Sequence, residues 1–222
     1  MNISEGIVIE NVLVWLIPGV TAITLHEYAH GWVAARLGDT TAREAGRLSL
    51  NPLRHVDPIG TIILPGLMLF ANLPFIFGWA KPVPVNFQRL KGGRLGTFLV
   101  AIAGVVANLL MLLGWLIALY GLIGFGGGTS VPSPNPLIAL FIKLSLAGVI
   151  INLALMLFNL IPLPPLDGGR VLGALLPEAL SKPYMRLERY GIFILLALIA
   201  TGAFRHVFDP LLNLFLSLLG LS

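Results

Sequence analysis

Residues 7–37 read IVIENVLVWLIPGVTAITLHEYAHGWVAARL, and how this stretch is read decides the fold. Apolar residues dominate it from Val8 through Leu25, and a helix needs only about 20 such residues to cross a bilayer. The pattern predicts one long helix over Ile7 to Leu37. Its acidic start, Glu5 and Glu10, faces a basic stretch with Arg36, Arg43, Arg47 and Arg54 at the other end. Lys and Arg accumulate in cytoplasmic loops, so the helix is expected to run from outside to inside.

Composition extends this reading to the whole chain. Of 222 residues, 57% are hydrophobic and 11% charged, whereas about a quarter are charged in a soluble domain. Lipid is the expected solvent for most of the chain. Ile59 to Trp79 is apolar but interrupted by Pro65 and Pro74, and it ends in Lys81-Pro82-Val83-Pro84-Val85, which predicts extended chain. The basic residues Lys81, Arg89, Lys91 and Arg94 follow. Leu95 to Ile123 predicts a clean span, and the uncharged loop Gly124 to Pro136 is expected outside. Pro136 to Leu160 predicts the next span. It runs into Asn159-Leu160-Ile161-Pro162-Leu163-Pro164-Pro165-Leu166-Asp167-Gly168-Gly169, where prolines and glycines predict an irregular backbone. Such chain at membrane depth is tolerated where it is buried in protein or lines a polar cavity. Lys182, Arg186 and Arg189 mark another cytoplasmic stretch, Tyr190 to Ala203 spans again, and Pro210 to Leu221 is short for a crossing. The expected fold is a single all-α polytopic membrane domain over residues 1–222. It has five to six membrane segments, one of them re-entrant or broken, and a small extended element.

Several classes are excluded or disfavoured. Without cysteine there are no disulfides or thiolate ligands, so a metal must be held by His, Asp or Glu. The net charge of +4 sits in short clusters beside apolar spans, which argues against nucleic acid. Met1 to Glu10 lack the basic region of a cleavable signal peptide, so the first apolar segment is expected to be retained.

His26-Glu27-Tyr28-Ala29-His30 is an H-E-x-x-H pattern. On a helix it sets two imidazoles one turn apart on one face, able to share a zinc ion, with Glu27 beside them as the base that activates water. Ionisable groups in a spanning helix are costly unless they pair or bind something, so three in one turn need a reason. A catalytic zinc takes a third protein ligand and leaves one position open. Candidates are Asp39, Glu44, His55, Asp57, Asp167, Glu178, His206 and Asp209. Topology favours Asp167, which shares the depth of the histidines if the span from Leu95 runs outward. That requires Ile59 to Trp79 to enter and leave on the cytoplasmic side, and the basic clusters on its flanks favour this independently.

Other polar residues carry two readings each. Asn159 could donate its amide to a substrate carbonyl or oxyanion, or cap its helix. Asn108 is a weaker candidate for the same contact, while nearby Gly104 reads as a small residue for close helix packing. His55 fits a gating or metal-supporting residue, or a loop histidine satisfied by backbone. His206 falls on the far side, and Trp15, Trp32, Trp79 and Trp115 read as interface anchors or packing.

With His26-Glu27-x-x-His30 in the first span and Asn159-x-x-Pro162-x-x-x-x-Asp167-Gly168 after a later one, the chain resembles the site-2 protease family of intramembrane zinc metalloproteases. Gly46-Arg47-Leu48-Ser49-Leu50-Asn51-Pro52 and Gly78-Trp79-Ala80-Lys81-Pro82-Val83-Pro84-Val85-Asn86 also look like segments of its compact bacterial and archaeal members. The resemblance implies one zinc per chain on His26, His30 and Asp167, with Glu27 as base. It implies a transmembrane protein or peptide as substrate, unwound before attack, and pairing of that substrate with the extended stretch as an added strand. Val105 follows Gly104 where family members often have proline, and within these 222 residues no PDZ or nucleotide-sensing appendage is expected.

A metal transporter would need no base beside its ligands, an inert scaffold would need a fourth ligand, and no Gly-x-Ser motif supports a serine protease. The sequence therefore predicts a multi-pass metalloendopeptidase in a prokaryotic cell membrane, its active site toward the cytoplasm. It assigns no oligomeric state.

Overall fold

The computed structural model of the chain describes residues 3–71, 78–125 and 135–221. The first helix, α1 (Ile3–Arg36), begins four residues before the predicted start, ends one residue before the predicted end and holds Pro18 within it. A short α2 (Thr41–Glu44) follows, then a 3₁₀ turn, Pro52–Arg54, capped by Asn51. Asp57 caps a π-helical turn, Pro58–Ile63, by accepting from the N–H groups of Ile59 and Gly60, and α3 (Leu64–Phe70) continues it. Pro65 lies within this continued helix and gives it no N–H to donate to the preceding turn. Pro74 lies outside the described residues, as do most of the loop expected outside and the residues Met1 and Asn2.

Residues 80–86 are extended, as expected, but no strand forms among the described residues. Proline at positions 82 and 84 removes alternate N–H donors and so one ladder edge. The stretch is tied instead by side chains and one loop carbonyl. Lys81 N donates to His55 O at 2.8 Å, Arg47 Nη2 donates to Lys81 O at 2.7 Å, and Asn86 N donates to Asp39 Oδ2 at 2.7 Å. Asp39 is fully buried and also accepts from the hydroxyl and N–H of Thr41. Burial pushes its carboxyl up, but these donors and nearby Arg89 hold it below the usual carboxylate range.

The long helices α4 (Gly93–Phe125) and α5 (Pro136–Asn159) form the core with α1. Val105, Leu112, Leu116 and Leu119 of α4 interlock with Val149, Leu153 and Leu157 of α5. Contacts at Leu37–Lys91, His30–Val100 and His26–Asn108 run in opposite sequence directions, so α1 and α4 are antiparallel. The chain between them therefore starts and ends at the same end of the bundle, as the expected topology required. After an irregular stretch come α6 (Asp167–Leu175), α7 (Glu178–Met185), α8 (Glu188–Ala200) and α9 (Ala203–Leu218).

Among the described residues, α1, α4 and α5 contain helices long and apolar enough to cross a membrane. The pair α8 and α9 bends by 81° at a break and makes a fourth if counted as one span. Gly202 sits at that break with φ +75°, a conformation side-chain-bearing residues avoid. Outward faces are apolar: Ile117 of α4 and Phe193 of α8 are 76% and 68% exposed. Apolar faces this extensive suit lipid contact, not water.

One expectation needs refining. Gly168 and Gly169 do not terminate helix but form the first turn of α6, and the irregular backbone is confined to the chain before Asp167. A Cβ on Gly168 would overlap the backbone of Leu160, and one on Gly169 the backbone at Leu163 and Pro164. Glycine lets the start of α6 lie directly on the preceding loop, which fixes where Asp167 projects.

Candidate metal centre

Helix α1 and the first residue of α6 bring the predicted cluster together. His26 Nε2 lies 3.1 Å from His30 Nε2, and Asp167 Oδ2 lies 3.2 Å from the first and 3.3 Å from the second. Three ligand atoms of a tetrahedral zinc, at bonds of about 2.0–2.1 Å, stand about 3.3 Å apart. The triangle has that size.

The outer hydrogen bonds of the histidines say which atoms face inward. His30 Nδ1 lies 2.7 Å from Val100 O, a carbonyl that can only accept, so Nδ1 carries the proton and Nε2 of the neutral ring a lone pair. His26 Nδ1 lies 2.5 Å from Asn108 Oδ1, which makes the same assignment for its ring. The buried Asp167 Oδ2 has no hydrogen-bond donor. Three acceptors face one another without a donor, an arrangement that repels itself and calls for positive charge at its centre. Among the described residues, these are the one group of His, Asp and Glu side chains arranged to hold a metal.

Helix α4 frames the cluster with a single stripe. Val100, Gly104 and Asn108 are spaced one turn apart, and between the two hydrogen-bonding positions lies glycine. A Cβ on Gly104 would overlap Nε2 of both His30 and His26. Gly104 does permit close packing, as its sequence context suggested, but what it admits is the pair of imidazoles.

His26, His30 and Asp167 border a cavity of about 1020 Å³ together with Glu27, whose Oε2 accepts from Val83 N at 2.8 Å. The extended stretch is thereby fastened to the glutamate of the motif. One turn beyond Asp167, Arg170 stacks on Phe87 with 4.7 Å from its Cζ to the ring centroid and pairs with Glu188. It bridges α6, α8 and the chain that follows the extended stretch.

The remaining expected residues separate. Asn159, the last residue of α5, lines the cavity and donates its amide to Leu155 O at 3.0 Å. Asn108 is fully buried, its carbonyl on His26 and its Nδ2 on Asn152 Oδ1 at 3.0 Å, so its amide is occupied by protein partners instead of facing substrate. His55 is buried, its Nε2 donates to Ser49 O at 2.8 Å, and it is not part of the ligand triangle. The loop backbone thus satisfies one ring nitrogen, while Nδ1 has no hydrogen-bond partner among the described residues and the ring borders the cavity. Val83, Val100 and Asn152 were not singled out in the sequence. The first two act through their backbone, which leaves no side-chain signal. Asn152 could have been found by the rule that flagged His26, a polar group in an apolar span.

Comparison with known proteins agrees with this chemistry. The model of Peptidase family M50 matches residues 136–202. Three similar proteins have names that begin "Putative zinc metalloprotease". YwhC of Bacillus subtilis (strain 168) is 40% identical over 202 residues, 87% of this chain and 83% of that protein. Rip2 of Mycolicibacterium smegmatis is 27% identical over 221 residues, 98% of this chain and 76% of that protein. The protein sll0528 of Synechocystis sp. is 46% identical over 98 residues, 44% of this chain and 21% of that protein. No solved structure matches the chain. At 40% identity over most of both chains, the likeness to YwhC shows that the chain belongs to peptidase family M50, the site-2 protease family of zinc metalloproteases.

Proposed function

We propose that this protein is an intramembrane metalloendopeptidase that cuts peptide bonds in or near transmembrane segments of other membrane proteins, as in regulated intramembrane proteolysis. The observation that carries the reading is the convergence of three acceptor atoms, His26 Nε2, His30 Nε2 and Asp167 Oδ2, at tetrahedral spacing beside Glu27. In this reading those three residues hold one zinc per chain. Zinc bound there supplies Lewis acidity, which makes water a nucleophile near neutral pH.

The chain's own groups do the rest. Glu27 takes the proton from water and returns it to the leaving amine, its carboxylate oriented by the Val83 N–H. Asn159 spends one N–H on Leu155 O, and its second donates to the substrate carbonyl and to the negative charge that builds on it. The extended stretch 80–86 offers backbone to an unwound substrate as an added strand. Unwinding comes first, because a helical peptide bond is shielded by its own turn. The apolar cavity around Leu155, Phe158 and Ile192 receives the substrate side chains. In the topology that accompanies this reading, residues 59–79 form a re-entrant segment in a fold of five to six membrane segments. The cavity opens toward the cytoplasm of a prokaryotic cell.

The test is to co-reconstitute the purified protein with single-span substrates in vesicles and map the products by mass spectrometry. Cuts within the span or its margin, abolished by a chelator and restored by zinc, are expected. Cleavage confined to soluble domains, or indifference to the chelator, would overturn the reading.

A further inference from the structure

The two histidines of the cluster have their outer nitrogens fixed by different routes. His30 donates directly to a helix carbonyl, Val100 O. His26 reaches a carbonyl through two amides. Its Nδ1 meets Asn108 Oδ1 at 2.5 Å, Asn108 Nδ2 donates to Asn152 Oδ1 at 3.0 Å, and Asn152 Nδ2 donates to Gly148 O at 2.9 Å.

The direction of this relay is set at its far end. Gly148 O can only accept, so the Asn152 amide must turn its NH₂ to it and its oxygen to Asn108. Asn108 must then turn its NH₂ to Asn152 and its oxygen to His26. His26 is left with the proton on Nδ1 and the lone pair on Nε2, facing Asp167 Oδ2. Both asparagines and Gly148 are buried, the asparagines with no exposed surface, so no water competes for these positions. Trp115 packs where a Cβ of Gly148 would stand, which closes the site of the terminal carbonyl.

We infer that Asn152, which touches neither the cluster nor the cavity, is a positioning residue for the metal centre, setting the tautomer and orientation of His26 through Asn108. This rests on the proposed metal role of His26. Removing the partner of a metal-ligating histidine commonly weakens metal binding by about 10–100-fold.

The experiment measures zinc affinity by chelator competition in detergent for wild type, Asn152→Leu, Asn108→Leu and the double variant, with Ser145→Ala as a control for another buried polar residue on α5. If the relay acts as one unit, each single leucine variant loses about 10–100-fold, and the double loses no more than Asn108→Leu alone. Ser145→Ala keeps the wild-type value. Unchanged affinity in Asn152→Leu, additive losses, or an equal loss in Ser145→Ala would overturn the inference while leaving the metal site intact. A wild type that binds no zinc would overturn the functional reading and the inference with it. Nitrogen-15 NMR of histidine in the zinc-free wild type, where no metal dictates the tautomer, gives a second readout that does not depend on any variant folding. A slowly exchanging proton on Nδ1 of His26 is expected, and a proton on Nε2 would sink the relay.

Discussion

Gly104→Ala is the sharpest local perturbation, because two rules disagree about its sign. Alanine is favoured over glycine in helix interiors by about 0.5–1 kcal/mol, so propensity alone expects a neutral or more stable α4. The structure expects loss of metal. The added methyl would overlap Nε2 of both His26 and His30, and it has no rotamer by which to escape. Carbon and nitrogen settle near 3.5 Å, so the rings must retreat by on the order of 1 Å, while metal sites tolerate about 0.2 Å. If the helices separated instead, overpacking would cost about 1–3 kcal/mol of stability. Disturbing the support of one ligand costs about 10–100-fold in affinity, and here two ligands are disturbed together, so a loss of at least about 100-fold is expected. Chelator competition gives the affinity and thermal melting monitored by circular dichroism gives the fold. Gly114→Ala, on the same helix with nothing within 4 Å of its Cβ position, is the control and should change neither. Wild-type zinc affinity in Gly104→Ala, or an equal loss in Gly114→Ala, would refute the reasoning.

Other expectations follow from single contacts. Asp167→Asn removes the carboxylate charge from the triangle and should reduce bound zinc well below one per chain while the helices stay folded, which metal analysis and circular dichroism check together. Val83→Pro deletes the N–H that orients Glu27 in a stretch already extended, so turnover should fall by about tenfold or more with bound zinc unchanged; an unaltered rate would mean that the Val83 contact does not orient the base. Asp39 gives a pH dependence. Its folded-state carboxyl is held below the unfolded value of about 3.9, so the unfolded chain binds the proton more readily. Its contribution to stability is complete above that value and lost as pH falls through the depressed folded value. Melting temperature between pH 6 and 3 should therefore fall more steeply for wild type than for Asp39→Asn; parallel slopes would contradict the assignment.

The long spans were legible because each is a run of apolar residues bounded by glycine, proline or basic clusters. The histidine pair was legible because one turn of an apolar helix rarely carries three ionisable groups without purpose. Asp167 could be chosen over seven other candidates only by combining charge placement with depth, and the antiparallel contacts between α1 and α4 support that choice. The role of Asn108 was not legible. Its sequence context shows a polar residue among apolar ones but not which helix it faces, and only packing reveals His26 on one side and Asn152 on the other. The glycines after Asp167 were misjudged for a related reason. Two glycines in series weaken a helix in isolation, yet here the tight approach of the Leu160–Pro164 backbone requires them. Backbone partners such as Val83 N and Val100 O carry no sequence signal at all.

The most direct test of the central claim compares substrate cleavage by wild type and Glu27→Gln, with bound zinc measured in the same samples. Glutamine keeps the size of the side chain but cannot take a proton. Cleavage should fall by about 10²–10⁴-fold while one zinc per chain remains. Full activity in Glu27→Gln with zinc in place would contradict the assignment of Glu27 as the base.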